Sequence, residues 1–214
     1  MGDEKTYRTY AYIDGFNLFY GALKGHPEYK WLDLQALLSS IIDPRYKIDL
    51  IRYFTARVKA TLSDPSKNTR QDIYLQALRA HIPHVKTHFG QFLSNTKFMP
   101  LADPTAEPRF VEVIASEEKG TDVNLAVHMV NDAWRDRYDC AILVTNDSDL
   151  VEAVKIVKEQ KKIIGLIKPR NRRSKKLEVH CNFHRYITPT HIKNSQLPGT
   201  IPGTNLHRPA EWSI

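Results

Sequence analysis

Residues 140–150 read CAILVTNDSDL, and the fold turns on them. The apolar run from Ala141 to Val144 is short and rich in β-formers, which predicts a strand buried on both faces. Two carboxylates, Asp147 and Asp149, follow at once with Ser148 between them. One acid at that place suits the cap of a following helix. A second acid two residues on repels the first and calls for another reason.

Working outward, strand-like and helix-like stretches alternate. TYAYID (9–14) reads as a strand that ends on Asp14. DLQALLSSII (33–42) reads as a helix with Asp33 at its N-cap. DLIRYFTARV (49–58) reads as a strand, 63–82 as a loop entering a helix, and HVKTHFG (84–90) as a short strand closed by glycine. Residues 92–115 hold two β-like arms around a Pro-rich link, the pattern of a long hairpin or flap. In TDVNLAVHMVNDAW (121–134), Val123, Ala126, Val127, Val130 and Trp134 recur at helical spacing. A helix over 149–160 and a strand over 162–167 complete the series. This alternation predicts an α/β protein, a three-layer sandwich around a mainly parallel sheet. The expected domain covers residues 1–197. The Pro/Gly-rich residues 198–214 are expected to form a loosely held tail.

Composition narrows the function classes. The chain has 214 residues with 42% hydrophobic and 26% charged residues, an ordinary globular balance. No apolar stretch approaches the roughly 20 residues needed to cross a membrane, and MGDEKTYRTY lacks the apolar segment of a secretory signal. Cys140 and Cys181 form neither a disulfide framework nor a Cys-x-x-Cys pair, so a cytoplasmic location is expected. The net charge of +7 is compatible with a polyanionic partner. A homo-oligomer is compatible with the sequence, which does not decide it.

In parallel sheets, ligands bind beyond the carboxyl ends of the strands. Asp14, Asp147 and Asp149 fall at such ends, and Asp122 opens a helix after EEKG. Topology therefore predicts that four carboxylates converge on one edge of the sheet. Clustered carboxylates repel, and burial raises their pKa values. A hard divalent cation such as Mg²⁺ removes the conflict, because it takes oxygen ligands from one or two carboxylates, waters and phosphate oxygens.

Three stretches in order, YIDGFNLFYG (12–21), EKGTDVNLAVHMV (118–130) and YDCAILVTNDSDLVEAVKIVKEQKKIIGLI (138–167), resemble the NYN-domain family, a branch of the PIN-like metal-dependent ribonucleases. The resemblance covers roughly residues 8–195. It implies a Rossmann-like α/β/α sandwich, Mg²⁺ or Mn²⁺, and phosphodiester hydrolysis, usually of RNA. Carried over residue by residue, Asp14, Asp122, Asp147 and Asp149 match the acidic positions, Asn17 the polar position of the first motif, and Lys119 the lysine of the KG-x-D motif.

Each candidate has a plainer reading. Asp14 and one of Asp147 and Asp149 suit helix caps, Asp122 suits a helix N-terminus, and Asn17 and Ser148 suit turns. Lys119, Glu117 and Glu118 suit an exposed turn, with Glu118 near enough in sequence to assist the site. The basic run KPRNRRSKK (168–176) contributes Lys168, Arg170, Arg172, Arg173, Lys175 and Lys176 as phosphate contacts, or is a solvated loop. Phe16, Phe19, Tyr20, Tyr29 and Trp31 are candidates for base stacking or for core. His81, His84 and His88 straddle a helix-to-strand boundary, and HCNFH (180–184) lacks a partner pair, so neither makes a zinc signature. The expected activity is a metal-dependent nuclease, an endoribonuclease acting on RNA, with DNA left open. The rivals are a structure-selective DNA nuclease and a non-catalytic nucleic-acid or protein-binding module on the same fold.

Overall fold

The computed structural model describes residues 5–105, 107–169 and 175–213. In chain order the elements are β1 (Tyr7–Asp14), α1 (Gly15–Leu18) running into a π-helical turn (Phe19–Leu23), α2 (Leu34–Ser39), β2 (Tyr46–Thr55), α3 (Lys67–His81) and β3 (Val85–Phe89). Then follow β4 (Gln91–Pro100), β5 (Phe110–Lys119), α4 (Thr121–Trp134), β6 (Cys140–Val144) and α5 (Val151–Glu159). The described chain continues through β7 (Ile163–Lys168), α6 (Lys175–Glu178), β8 (Phe183–Tyr186) and α7 (Pro189–Lys193).

Six strands form one sheet in the order β3-β2-β1-β6-β7-β8, and every neighbouring pair is parallel. Alternation along each strand serves two cores. Ala11, Ile13, Ile142 and Val144 face α2, α3 and the C-terminal segment, whereas Tyr12, Ala141 and Leu143 face α4 and α5. All of β6 is buried, as its uninterrupted apolar run requires. The architecture is the expected three-layer α/β sandwich. The chain order reverses between β1 and β6, with β2 and β3 on one side and β7 and β8 on the other.

The 92–115 flap is an antiparallel hairpin, with Gln91 opposite Lys119 and Pro100 opposite Phe110. It is longer than expected because β5 continues through Glu117 and Glu118 to Lys119. Gly120 then turns the chain into α4 with φ of 90°, a conformation that favours glycine.

Two expectations need correction. The face of α4 turned to the core is Leu125, Met129, Asp132 and Ala133, while Val123, Val127 and Trp134 are exposed. The helix carries two apolar stripes, and a polar contact selects between them. Buried Asp132 accepts hydrogen bonds from Tyr12 Oη (2.8 Å) and Arg52 Nε (2.8 Å), which bolts α4 to β1 and β2. The second correction concerns the C-terminal segment, which is packed rather than loose. Leu197, Ile201 and Trp212 belong to the core, and Trp31 Nε1 donates to the Pro198 carbonyl at 2.7 Å. Four apolar anchors, including half-buried Leu206, outweigh the Pro/Gly composition there.

Candidate metal-binding pole at the carboxyl edge

The pole lies where strand order reverses, the position at which open α/β sheets leave a crevice. Asp14 is the last residue of β1 and is only 1% exposed. Its Oδ1 accepts from the Asn17 backbone N–H (2.9 Å), and its Oδ2 accepts from Asn17 Nδ2 (2.5 Å) and Thr145 Oγ1 (3.0 Å). Asp14 thus caps α1, and the cap also fixes the carboxylate. The next residue must be small, because a Cβ on Gly15 would lie 2.7 Å from the Phe54 carbonyl and 2.8 Å from the Tyr53 ring.

The loop after β6 meets this carboxylate. Buried Thr145 donates to Asp14 and accepts from the Asp147 N–H (3.0 Å), so one hydroxyl links both acids. Asn17 makes a second link, since its Oδ1 accepts from the Asn146 N–H (3.2 Å). Asp147 caps the short 3₁₀ turn Ser148–Leu150, its Oδ1 accepting from the Asp149 N–H (3.0 Å). Asp149 is the outermost acid and is exposed.

Electrostatics shows which acids share the pole. Burial pushes the Asp14 carboxyl up, hydrogen bonds from Asn17 and Thr145 oppose this, and the charge of Asp147 adds to it. Burial also raises Asp122, and the charges of Asp14, Asp147, Glu118 and Asp149 bring it up to about 6. The structure therefore brings Asp14, Asp147 and Asp149 within electrostatic reach of Asp122, and Asp147 within reach of Asp14. It adds Glu118, which accepts from the Thr121 N–H (3.0 Å) at the entry to α4. Thr145 is a residue of the pole that sequence reading missed, placed there by its bonds to Asp14 and Asp147. Its one signal is its place between a buried strand and the first acid.

Among the described residues, no three His, Cys, Asp or Glu side chains stand close enough to enclose a metal ion by themselves. A partial shell of carboxylates completed by water and substrate oxygens is the arrangement Mg²⁺ prefers. The residues fit that role because buried Asp14 and half-buried Asp122 are both raised by burial and by like charges in the same pole.

The basic residues divide. Lys168 does not reach a phosphate, because it is fully buried at the end of β7, ion-paired with Glu178 and 4.9 Å from the Tyr186 ring centroid. Lys175 and Lys176 are exposed on α6. Arg170, Arg172 and Arg173 lie outside the described residues. Lys119 is exposed and bonded to Glu117 (3.0 Å). Of the aromatic candidates, Trp31 and Tyr29 are core, Phe16 and Phe19 are half-buried, and Tyr20 is exposed. The three histidines have separate partners. His81 pairs with Asp33 (3.3 Å), His84 meets Gln35 (2.7 Å), and His88 stacks on Phe54.

Among solved structures, a protein of unknown function from Vibrio parahaemolyticus superposes with a TM-score of 0.53, covering 92% of this chain and 100% of that one at 14% identity. This likeness concerns the fold alone. In sequence, the chain is 29% identical to a 6-hydroxy-3-succinoylpyridine 3-monooxygenase of Pseudomonas putida, over 98% of this chain and 77% of the relative. Residues 8–188 match the NYN domain, a nuclease-like fold, and they contain the whole acidic pole. The chain belongs to the NYN domain family.

Proposed function

We propose that the protein is a Mg²⁺- or Mn²⁺-dependent phosphodiesterase that cuts RNA internally. The observation that carries this reading is the acidic pole of Asp14, Asp122, Asp147 and Asp149, in which burial and like charges bring Asp122 up to about 6, on a chain of net charge +7. One or two carboxylates of this set, with water and substrate oxygens completing the shell, would hold the cation. When bound, the cation would activate a water and stabilise the charge developing on the phosphoryl group.

The chain's own groups do the positioning. Asn17 and Thr145 hold the Asp14 carboxylate by three hydrogen bonds, so it need not reorganise when substrate arrives. Asn17 also grips the backbone of Asn146 and keeps the β1 and β6 ends in register. Exposed Lys175 and Lys176 draw the polyanion to the surface. The test is incubation with labelled single-stranded RNA and DNA in Mg²⁺, Mn²⁺ or EDTA, beside Asp14→Asn. Metal-dependent internal cuts by the wild type alone support the reading, and identical digestion by Asp14→Asn rejects it.

A second reading has one observation in its favour. An aromatic-walled cavity adjoins Asp14 through Gly15, and the Pseudomonas putida relative is named for an oxygenation of a succinoylpyridine. Oxygen uptake on mixing with 6-hydroxy-3-succinoylpyridine and an added reductant, with no RNA cleavage, would favour it.

A further inference from the structure

A cavity of about 200 Å³ opens beyond the carboxyl ends of β1 and β2, next to the acidic pole but not part of it. Gly15 and Tyr53 separate the two. Drug-sized ligands occupy roughly 300–1,000 Å³, so this space suits a single small ring. Its walls are aromatic and come from separate parts of the chain. Phe16, Phe19 and Tyr20 come from the first helical segment, Phe92 from the base of the hairpin, and Trp212 from the C-terminal segment. Phe16 and Phe92 already meet edge to face at 5.5 Å, an arrangement that leaves ring faces for a third partner.

The polar lining is cationic. Lys30, Lys67 and Arg70 face the cavity, with Asp64 the one carboxylate beside them. Asp64 is spent on Arg70 at 2.6 Å, and so is Glu211 at 3.0 Å. Among the described residues neither Lys30 nor Lys67 has an ion pair. Burial, then the nearby Arg70 charge, lowers the Lys30 ammonium below its ordinary range against the opposing pull of Asp64, and its Nζ lies 5.8 Å from the Phe19 ring centroid, on the aromatic wall. Gln71 is held in place, its Oε1 accepting from the Val58 N–H and its Nε2 donating to the Ala56 carbonyl, both at 2.9 Å. Ring stacking and the lysines lead the recognition, with the hydroxyl-bearing Thr55 and Tyr53 also in the lining.

We infer that this cavity binds a planar aromatic ring carrying an anionic group, the ring against Phe16, Phe19 and Phe92 and the anion on Lys30 and Lys67, since Arg70 is already held by Asp64 and Glu211. Two sources share that chemistry, a nucleotide and a heteroaromatic carboxylic acid. The inference does not rest on phosphodiester cleavage, since the cavity is complete without the carboxylates.

Isothermal titration calorimetry of the full chain in EDTA tests it with two probes, uridine 5′-monophosphate and pyridine-3-carboxylate. Saturable binding of one equivalent of either probe is expected, and whichever binds identifies the source. Lys30→Gln should weaken that binding about tenfold, the loss of one charge-assisted contact. Phe92→Ala should weaken it by a similar factor, and it removes a half-buried ring from an exposed hairpin, so the fold should survive. Asp14→Asn should bind the probe as the wild type does, whether or not it cuts RNA. Failure of both probes to saturate overturns the inference, as does binding that folded Lys30→Gln and Phe92→Ala proteins both retain in full.

Discussion

Strands β1 and β7 both end on a charged residue that the fold buries, Asp14 at 1% exposure and Lys168 at 0%. Their surroundings differ. Lys168 has an opposite charge, Glu178, and a ring face, so its charge is balanced inside the protein. Asp14 has neutral donors, Asn17 and Thr145, and its charged neighbour in the pole, Asp147, is of the same sign. A buried charge that is neutralised locally serves the fold. One that is hydrogen-bonded but not neutralised stores an electrostatic debt, and a site for a cationic partner is the simplest reason for a fold to keep it.

The most direct way to break this contrast is Asp14→Asn. If the unbalanced charge serves chemistry, cleavage should fall on the order of a thousandfold, a loss typical when one charge-stabilising group leaves an active site. Melting should shift by only a few degrees, since the relief of a buried charge offsets the cost of the amide NH2 that Asn turns toward the Asn17 or Thr145 donors. Thermal denaturation and a cleavage time course on one preparation check both halves. A melting temperature that collapses along with activity would place Asp14 in the same class as Lys168.

Lys168→Ala probes the opposite pole. It removes the fully buried cation of the Lys168–Glu178 pair, and breaking a buried pair costs about 3–5 kcal/mol. At about 2–4 °C per kcal/mol for a chain of this size, melting should fall by roughly 10 °C. Joint replacement by Lys168→Met and Glu178→Leu should restore most of the loss. The salt dependence of RNA binding should not change, because the lysine never meets solvent. A weakened RNA affinity with unchanged melting would instead put Lys168 on the binding surface.

A smaller effect follows from Asp122. Its folded pKa of about 6 lies above the ordinary value of 3.8. Below pH about 4 both folded and unfolded chains hold its proton. Between about 4 and 6 the folded chain keeps the proton and the unfolded chain releases it, so this group's contribution to stability falls as pH rises and levels off above about 6. Asp122→Asn removes the penalty. The variant should exceed the wild type at pH 7 by on the order of 1 kcal/mol, a figure discounted because Asp122 is half-exposed. The gap should close at pH 4, and Mg²⁺ should narrow it at pH 7 by stabilising the wild type. Urea denaturation at the two pH values, with and without Mg²⁺, measures this. An equal gap at both pH values would show that Asp122 carries no charge penalty.

Much of this pole could be read from the sequence, because its signals are local. A fully apolar strand followed by two acids, and a strand ending on Asp14, are contiguous patterns that the parallel-sheet rule places at one edge. What escaped reading depended on partners far away in sequence. Nothing in KPRNRRSKK separates Lys168 from its neighbours until Glu178 folds back onto it. The core stripe of α4 was ambiguous until Tyr12 and Arg52 found Asp132. Glu118 reads as a turn acid unless β5 is known to run through it. The aromatic cavity draws on segments as distant as Phe16 and Trp212, and no window of sequence contains it.

The gentlest perturbation concerns Lys175 and Lys176, seven and eight residues beyond Lys168. Both are exposed, on a helical turn whose Leu177 is buried in the core and holds them at the surface. Alanine is a good helix former, so replacing both should leave the turn intact. If each lysine neutralises one phosphate, the log–log salt slope for single-stranded RNA should shallow by about 0.7 per lysine, or about 1.4 together. Binding should weaken at low salt and converge with the wild type at high salt. The rate on saturating RNA should stay put, because the acidic pole is untouched. Fluorescence anisotropy of a labelled oligonucleotide across a salt series, using Asp14→Asn as the background to prevent cutting, reads the slope directly. An unaltered slope would remove α6 from the RNA surface and direct the search to the β4–β5 hairpin, where Arg109 is exposed and Lys97 is already paired with Glu117.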